Sequence, residues 1–534
     1  CDWPIKVIIG NPPYNARSTN KYDISQYKLE VDGKTPLKEI TLNSLNDDYV
    51  KFIRFAEKLI IKEGEGILAY ISNNGYLDNP TFRGMRASLL RTFDEIYILN
   101  LHGNSNKKER CPDGSKDENV FDIRTGVAII IAIKKTQNKD WAKVYYSELY
   151  GLREKKFEIL ESKNITYKEL SIDKKTPLFL EHSFKGRDSY EECVNIKDLF
   201  TVSATGMESG NDDAAITYTK AELEKRINTI RYDLSKDGVE VKNLFGSFGR
   251  NQTAKKIRDD VLNGGAIKEI AHRPFDNRWS YYSGKSTGWL YMPTRIMYNF
   301  LQDSPSPIGK NIGLVYSRGD TTSQQFSMIF ITDRVTNKSI TVRPCYVAPL
   351  FLAPEGNLDW STNFNKHVLE KLTQNLEEIP TPLEVFDYCY GVLFDPKFRK
   401  KYNEFLKRDF PRVPIIENKD QFFKYKKAGE RLRLAHLMHT DIRLDLEIET
   451  EGSKNMNIEQ VRYVDEKLYI NKTTAIIGIP SDVYNYYIGG YQVIDKWFKG
   501  HKNEILTIEY FNHIEKIAAI LKTTIEIQNE LLDS

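Results

Sequence analysis

The hydrophobic positions of the first 135 residues alternate between two periods. Short apolar runs rich in β-branched residues predict buried strands, whereas apolar residues three or four positions apart predict amphipathic helices. Strands are predicted at 5–10, 66–73, 95–103 and 125–135, and helices at 49–61 and 82–93. Strands and helices that alternate in this way are typical of one half of a doubly wound, Rossmann-like α/β sheet.

Beyond residue 135 the pattern changes twice. Between 136 and 380, short strand-like runs alternate with charged helical segments, and Pro, Asn and Asp turns separate them. This pattern predicts a second, mixed α/β domain. From 381 to 534 the apolar residues follow a mainly helical period. We therefore expect an α/β fold class with three regions, 1–135, 136–380 and 381–534.

Charge and cysteine content narrow the class of protein. The 77 basic and 74 acidic residues give a net charge of +3, so any contact with nucleic acid has to come from local basic patches. The five cysteines lie far apart without CxxC spacing, which argues against a disulfide framework and a zinc ribbon and favours a reducing compartment. No apolar run approaches the roughly 18 residues of a membrane span. We expect a soluble, cytoplasmic protein with no bound metal and no membrane partner.

The motif NPPY at residues 11–14 directly follows the first predicted strand, at the end where ligands bind in open α/β sheets. An exocyclic amine has two hydrogens to donate, and the side-chain oxygen of Asn11 and the carbonyl of Pro12 can accept one each. Pro13 stiffens the turn because proline lacks a backbone N–H and has a fixed φ. Tyr14 offers a flat face on which an extruded base can stack. In this context the motif favours a loop for amino-group methylation over the alternative, a stiff surface turn.

The stretch VIIGNPPY (7–14), with the segments at 49–60, 66–78 and 96–104, resembles the catalytic half of the amino-group DNA methyltransferases. The NPPY form is typical of those that act on adenine N6. Further segments narrow the resemblance to type ISP restriction–modification enzymes: AHRPFDNRWSYY (271–282), CYVAPLFLAP (345–354), VFDYCYGVLFDPKFRKKYNEFLKRDFPRVPI (385–415) and AGERLRLAHLM (428–438). The resemblance covers essentially the whole chain.

That resemblance implies a polypeptide that carries a nuclease, an ATP-driven translocase, an adenine methyltransferase and a target-recognition domain in that order. This chain would be its C-terminal part, with ATP and Mg²⁺ used only by the upstream domains, which are its partners. The intact protein would use S-adenosyl-L-methionine to methylate adenine N6 at a specific asymmetric site of double-stranded DNA. Asn11 and Pro12 would bind the amino group, Pro13 would shape the loop and Tyr14 would stack on the flipped base.

In this methyltransferase order, the Gly-rich cofactor loop precedes NPPY. The chain has no strand–GxG–helix pattern, and GSFGRN (246–251) lacks the required spacing. The resemblance therefore assigns only Asn11, in the shared catalytic loop, to the cofactor. Two alternatives stay open: a DNA-binding specificity module without catalysis of its own, and a protein glutamine methyltransferase, because NPPY also serves that reaction.

Candidate DNA contacts lie in three short basic segments. In RPFDNRW (273–279), the two arginines suit either the DNA backbone or an ion pair with Asp276. SGKSTG (283–288) lacks the first glycine of a phosphate-binding loop but places a lysine on a turn, and KKIR (255–258) suits phosphate contact on a helix. The candidates are Arg273, Arg278, Lys285, Lys255, Lys256 and Arg258.

Two other motifs have simpler structural explanations. The pair His436 and His439 has weak metal spacing, so a helix end is the better interpretation. YNYYIGGY (484–491) is better explained by aromatic packing around a glycine turn than by a stacking platform for bases.

The resemblance to type ISP enzymes also implies roles for the remaining regions. Residues 136–380 would read the DNA sequence in the major groove, and the helical region at 381–534 would clamp the DNA backbone.

Overall fold

The chain forms two compact units, Cys1–Lys185 and Gly186–Ser534. The computed structural model describes residues 6–15, 18–39, 42–107, 109–135, 140–162, 164–181, 186–232, 238–249, 251–284, 287–302, 305–320, 325–341, 343–354, 359–452 and 455–533. Of the candidate residues, Lys285 lies outside this described part. Within the described part, no helix is long and apolar enough to cross a membrane.

The first unit is built on a six-stranded sheet. Its strands are β1 (Val7–Gly10), β2 (Gly66–Asn73), β3 (Glu95–Asn100), β4 (Val127–Lys134), β5 (Lys143–Glu148) and β6 (Lys168–Leu170). Its α-helices are α1 (Asp48–Glu63), α2 (Arg83–Thr92) and α3 (Arg153–Ser162), and short 3-10 turns lie at Ser25–Lys28, Asn43–Asn46, Asn74–Tyr76, Pro80–Phe82 and Ser105–Lys107. The strands and helices predicted up to residue 135 are present, which confirms the α/β fold class.

The sheet has the order β1-β2-β4-β3-β5-β6. β1 is parallel to β2 and β3 is parallel to β5, whereas β4 runs antiparallel between β2 and β3. The carboxyl ends of β1, β2, β3 and β5 consequently lie along one edge of the sheet. Ligands bind along this edge in open α/β sheets.

Helices α1 and α2 contribute to a core on one face of this sheet. α1 buries Tyr49, Ile53 and Ile60 on one side, because these positions recur at helical spacing. The helix ends at Gly64, where φ is +81° and the N–H donates to the carbonyl of Ile60 at 3.0 Å. Successive side chains of a strand point to opposite faces of the sheet. Residues of β2 therefore alternate between buried positions, which face this core, and half-buried positions on the other face.

Strand β1 lies at the edge of the described sheet. It pairs with β2 only, from Val7 opposite Ile67 to Gly10 opposite Tyr70. Val7 and Ile9 are 57% and 80% exposed, which is unusual for the apolar residues of a parallel strand. Described residues of the first unit cover neither the edge of β1 that faces away from β2 nor the side chains of Val7 and Ile9.

The first unit continues past the boundary expected at residue 135. β5 pairs in parallel with β3, and Val144 and Tyr146 of β5 are buried in the same core as Ile96 of β3. β6 then pairs with β5. Backbone hydrogen bonds and shared burial therefore join these later strands to the first sheet.

The second unit contains many short strands and helices. Its strands are β7 (Val194–Asn195), β8 (Ala204–Thr205), β9 (Ile216–Thr217), β10 (Ala266–Arg273), β11 (Asp276–Tyr282), β12 (Gly313–Tyr316), β13 (Ile329–Thr332), β14 (Val335–Thr336), β15 (Tyr346–Pro349), β16 (Phe351–Leu352), β17 (Ser361–Thr362), β18 (Arg412–Val413), β19 (Glu447–Thr450), β20 (Arg462–Val464), β21 (Lys467–Tyr469), β22 (Thr474–Ile477), β23 (Tyr487–Ile488) and β24 (Tyr491–Gln492). Its larger sheets have the orders β14-β10-β11-β9, β13-β12-β15-β8 and β19-β22-β21-β20.

The α-helices of this unit are α4 (Arg187–Glu191), α5 (Ile196–Leu199), α6 (Asp212–Ala215), α7 (Lys220–Arg231), α8 (Val239–Phe245), α9 (Ala254–Leu262), α10 (Lys366–Thr373), α11 (Pro382–Phe394), α12 (Pro396–Leu406), α13 (Lys419–His436), α14 (Ser481–Tyr484), α15 (Val493–Gly500) and α16 (Ile508–Asp533). A 3-10 turn lies at Arg295–Phe300. Long helices dominate from α11 onward, as expected, but the β19-β22-β21-β20 sheet lies among them.

The regions on either side of residue 381 share their hydrophobic cores. One core joins Ile270 of β10 to Trp497 of α15, and another joins Leu314 of β12 to Phe386 of α11. The C-terminal helices therefore complete the cores of the preceding sheets. The expected boundary at 381 marks a change of secondary structure within one compact unit.

Candidate functional site

The NPPY loop leaves β1 at the carboxyl edge of the first sheet. Asn11 and Pro13 are exposed, Pro12 is buried and Tyr14 is half-buried. The hydroxyl of Tyr14 donates to the side-chain oxygen of Asn11 at 2.9 Å, so the two candidate residues are in direct contact. The buried Pro12 anchors the loop, while the Asn11 carboxamide stays accessible to a ligand.

Tyr14 lies between the loop and the hydrophobic interior. Its ring packs against the core cluster of Leu99, Leu101, Val120 and Val127. Burial raises the pKa of Tyr14 to about 12, so at neutral pH the hydroxyl is protonated and able to donate. The hydroxyl end of Tyr14 is thus held at Asn11 while its ring packs against this cluster.

The chain after the loop is held by the start of α1. The backbone N–H of Asn15 donates to Asp47 Oδ1 at 2.8 Å, just before the helix begins. The ammonium of Lys51, on the first turns of α1, donates to Ser18 Oγ at 2.9 Å and to the carbonyl of Asn20 at 2.5 Å. These bonds fix where the loop enters the next segment, so both ends of NPPY are anchored.

Asparagine side chains connect the ends of β2 and β3. Asn74, just after β2, donates from Nδ2 to Asn100 Oδ1 at 3.0 Å and from its backbone N–H to the carbonyl of Gly126 at 2.9 Å. A Cβ at Gly126 would lie 2.6 Å from Asn74 Nδ2, so a larger residue there would displace the Asn74 carboxamide from this network. The bonds hold together the sheet edge onto which the NPPY loop opens.

A buried histidine continues this polar network. His102 contacts Glu109 through Nδ1 at 2.7 Å and Glu148 through Nε2 at 3.1 Å, and it stacks on Tyr150 with ring centroids 3.8 Å apart. Burial alone lowers the pKa of His102, but the two carboxylates outweigh it and raise the pKa above its ordinary value. Tyr146 donates to Glu148 Oε2 at 2.8 Å and links the histidine back to β5.

One aromatic residue at this edge has no signal in the sequence pattern. Phe121, in the segment before β4, packs against the same core cluster as Tyr14. It also lines an open cleft of about 760 Å³, together with Gly103, Asp117 and Arg124. A lone aromatic residue in a polar loop has no periodic signal, so only the folded chain brings it to the cluster that Tyr14 contacts.

In the second unit, Arg278 forms the ion pair that the sequence left open. Its Nε and Nη2 contact the carboxylate of Asp276 at distances between 2.9 and 3.2 Å, and both side chains are largely buried. The guanidinium also lies 4.3 Å from the ring centroid of Tyr218. Arg273 differs, since it donates to the carbonyl of His272 at 2.8 Å and lies 3.7 Å from a carboxylate oxygen of Asp212.

Two candidate lysines sit on the exposed first turns of α9. The helix is capped by Thr253, which accepts the N–H of Lys256 at 3.3 Å. Lys255 is 84% exposed beside Asp259, and the Lys256 ammonium donates to the carbonyl of Asn251 at 2.7 Å. Arg258 is half-buried on the same helix. Of the five candidates that the structure describes, the two lysines are the most accessible to a phosphate backbone.

The two motifs given structural explanations behave as packing elements. His436 is buried, where Tyr390 Oη contacts its Nδ1 at 2.6 Å and Thr524 Oγ1 contacts its Nε2 at 2.9 Å. Tyr484 stacks on Tyr463 with ring centroids 4.1 Å apart. Among the described residues, no group of histidines, cysteines and carboxylates could hold a metal ion.

Comparison with known proteins places this arrangement in a family. Residues 198–530 match the model of the "Type ISP C-terminal specificity domain". No curated protein matches the chain.

Solved structures share the fold over 99% of the chain. The ATP-dependent type ISP restriction–modification enzyme LlaBIII bound to DNA has a TM-score of 0.77 at 22% identity, and the match spans 37% of that protein. The DrdV–DNA complex has a TM-score of 0.75 at 20% identity over 57% of its chain. A nuclease-deletion mutant of the type ISP enzyme LlaGI, in complex with a DNA substrate mimic, has a TM-score of 0.73 at 20% identity over 53% of its chain. The chain thus spans between about a third and three fifths of the length of these proteins.

Proposed function

The chain belongs to the type ISP C-terminal specificity domain family, and from this premise we propose that it methylates and recognises DNA in a type ISP-like restriction–modification enzyme. The reaction is transfer of a methyl group to adenine N6 at a specific asymmetric site of double-stranded DNA. The first unit carries the catalytic loop, and the second unit, with the matched residues 198–530, selects the site. A cytoplasmic location, where the host DNA lies, follows from this proposal.

One observation carries the catalytic part of the proposal. Asn11 is exposed at the carboxyl edge of the sheet, and Tyr14 beside it has a fixed ring. The Asn11 oxygen and the Pro12 carbonyl accept the two hydrogens of the adenine amino group, which prepares the nitrogen lone pair for attack. The base has to leave the duplex to reach these acceptors, and Tyr14 stacks on the extruded base.

The cofactor proposed for this reaction is S-adenosyl-L-methionine. When bound, it supplies the electrophilic methyl group. The accessible Asn11 carboxamide fits the methyl end of such a site, because it can hold the acceptor nitrogen next to it. The exposed edge of β1 and the exposed side chains of Val7 and Ile9 leave room for further elements of the sheet. We therefore place the residues that hold the rest of the cofactor in the upstream part of the longer polypeptide.

In the second unit, the proposed DNA contacts come from exposed cations. Lys255 and Lys256 bind phosphates, and Arg273, whose side chain is 23% exposed at the end of β10, makes a further backbone contact in place of its 3.7 Å pair with Asp212. Arg278 keeps its ion pair with Asp276 and supports the β10–β11 hairpin instead. Such phosphate contacts position the protein on the duplex and carry no sequence information by themselves.

The first test is modified-base sequencing of DNA from a host that carries the gene of the intact polypeptide. A matched host carries the Asn11→Ala variant, and DNA binding of both purified proteins is measured. We expect N6-methyladenine at one asymmetric motif, its loss in the variant and nearly equal DNA affinity. No methyl mark in the wild type, or loss of methylation together with DNA binding, would contradict the role assigned to Asn11.

A second candidate function is DNA recognition without catalysis. The family model matches residues 198–530, which lie within the second unit. This match favours DNA recognition, because it does not include the unit that carries the NPPY loop. Calorimetric titration of the intact polypeptide with S-adenosyl-L-methionine separates the two functions. Cofactor binding supports the methyltransferase, whereas DNA binding without cofactor binding supports the recognition module.

A further inference from the structure

A buried ion pair joins α3 to the loop between β3 and β4. The side chains of Lys156 and Asp117 are both fully buried, with Nζ 2.7 Å from Oδ1. The Lys156 ammonium also donates to the carbonyl oxygens of Leu101 at 2.8 Å and Glu118 at 2.6 Å. All three ammonium hydrogens therefore have acceptors, and these lie on two separate parts of the loop.

Asp117 also binds the backbone just after β3 and just before α3. Its carboxylate accepts the backbone N–H of Gly103 at 2.6 Å and that of Gly151, just before α3, at 2.8 Å. A Cβ on Gly103 would lie 2.4 Å from the Cα of Asn119, so the two loop strands cross without space between them. The end of β3, the middle of the loop and the start of α3 thus meet at one carboxylate.

Arg153, one turn before Lys156, holds the next part of the loop. Its Nε donates to the carbonyl of Asn119 at 2.8 Å, and its Nη2 donates to the carbonyl of Phe121 at 3.0 Å and to Asp122 Oδ1 at 2.7 Å. A planar guanidinium has donors in a fixed geometry, so these bonds set the backbone position on both sides of Phe121. Together with Lys156, it fixes residues 117–122.

Stability alone does not account for a buried charge pair of this kind. Both ions lose their hydration on burial, and apolar side chains of similar volume often stabilise a fold equally well or better. What the ion pair adds is defined geometry, because each donor and acceptor has a specific partner. The braced segment carries Phe121 to the core cluster that Tyr14 also contacts, and it forms one side of the 760 Å³ cleft.

We propose that Lys156 and Arg153 are positioning residues that hold the 117–122 segment, with Phe121, where the extruded target base is received. Neither residue touches the reacting atoms. They act by fixing the backbone on both sides of Phe121, whose ring packs against the core cluster that Tyr14 also contacts. This inference rests on the proposed adenine methylation and adds residues of α3 to it.

The test uses the intact polypeptide and a duplex with 2-aminopurine in place of the target adenine, at the motif found by modified-base sequencing. The fluorescence of this analogue rises when the base leaves the stack. Arg153→Met is the main variant, because Arg153 is 36% exposed and its partner Asp122 is 93% exposed, so its removal leaves no buried charge. Arg110→Met is the matched control, since Arg110 is exposed in the same loop and, among the residues that the structure describes, its side chain donates only to the carbonyl of Gly114 at 3.1 Å.

A second variant tests the ion pair itself. Lys156→Met combined with Asp117→Asn removes both buried charges together, which avoids the penalty of one unpaired ion. For each protein we measure the fluorescence increase, the kcat of methyl transfer to the unmodified duplex, the Kd for DNA and the Tm. A purely structural role would lower Tm and DNA affinity together with kcat.

We expect Arg153→Met and the double variant to lower kcat at least tenfold and to reduce the 2-aminopurine signal, with DNA Kd and the Tm of Arg153→Met close to wild type. Arg110→Met should match the wild type throughout. Wild-type kcat and signal in Arg153→Met would overturn the positioning role while leaving the proposed function intact. Absence of both methyl transfer and fluorescence increase in the wild type would overturn the proposed function and, with it, this inference.

Discussion

The hydroxyl of Tyr14 donates a hydrogen bond of 2.9 Å to the side-chain oxygen of Asn11. The same oxygen is the acceptor proposed for the adenine amino group, and its second lone pair is open to that hydrogen while the first accepts from the hydroxyl. The bond also limits the rotation of the Asn11 carboxamide, which is otherwise exposed. Tyr14 therefore has two separable roles, through its ring and through its hydroxyl.

Substitutions at Tyr14 should separate these roles. Tyr14→Phe keeps the stacking face and removes the donor, so we expect single-turnover methylation within about tenfold of the wild type. Tyr14→Ala removes the stacking face, worth about 1–3 kcal/mol, and should reduce methylation by about 5- to 150-fold. Equal rates for the two variants would show that the ring makes no contribution.

The His102 network should make stability depend on pH. Because Glu109 and Glu148 raise the pKa of His102 in the folded protein, the folded state binds its proton more tightly than the unfolded state. This contribution is complete below the unfolded pKa of about 6.5 and is lost as the pH rises through the higher folded pKa. The Tm of the wild type should therefore fall as the pH rises between the unfolded and the folded pKa of His102, and we expect a smaller fall in Tm over this pH range for His102→Gln.

The measurement is Tm between about pH 5 and about pH 9 for the wild type, His102→Gln and a control. His367→Gln is the control, because the His367 side chain is 92% exposed. Parallel Tm curves for the wild type and His102→Gln would contradict the assigned role of the network.

The two kinds of basic residue in the second unit should respond differently to substitution. Lys255→Ala with Lys256→Ala should weaken DNA binding across all sequences and reduce the slope of log K against log salt by about 1 per lysine, with Tm unchanged. Arg278→Met should instead lower stability by about 3–5 kcal/mol, because it leaves the carboxylate of Asp276 buried without its cation.

Fluorescence anisotropy over a range of salt concentrations and thermal unfolding give both quantities on the same proteins. If the double lysine variant kept the wild-type salt slope, α9 would not contact phosphates. If Arg278→Met lowered DNA affinity at unchanged Tm, Arg278 would be a DNA contact after all.

Helices α11 and α13 cross where glycine is required. A Cβ on Gly429 would lie 1.8 Å from the carbonyl oxygen of Asp387, and one on Gly391 would lie 2.1 Å from that of Tyr425. Gly429→Ala should therefore separate the helices and destabilise the protein by at least about 1–3 kcal/mol, despite the better helix propensity of alanine. Denaturant unfolding checks this, with the exposed Lys427→Ala on the same helix as the control, and an unchanged midpoint for Gly429→Ala would contradict the tight crossing.

The order of strands and helices up to residue 135 could be predicted because each element carries its own periodic pattern. The position of the NPPY loop at a strand end followed from the same local pattern. The antiparallel direction of β4 could not be predicted, because a strand buried on both faces is apolar in either direction. The inclusion of β5 in the first sheet was also hidden, since strand pairing is a long-range choice made by backbone hydrogen bonds.

The sequence by itself determined the fold class, the family and the identity of the four loop residues, because these depend on residue type and spacing along the chain. Only the tertiary structure decided that Tyr14 bonds to Asn11, that Arg278 pairs with Asp276, and that Phe121 packs against the cluster that Tyr14 also contacts. Contacts of this kind join residues through burial and crossing segments, and charged groups pair in order to compensate for lost hydration. A sequence pattern records which groups are available, whereas packing selects the partner of each one.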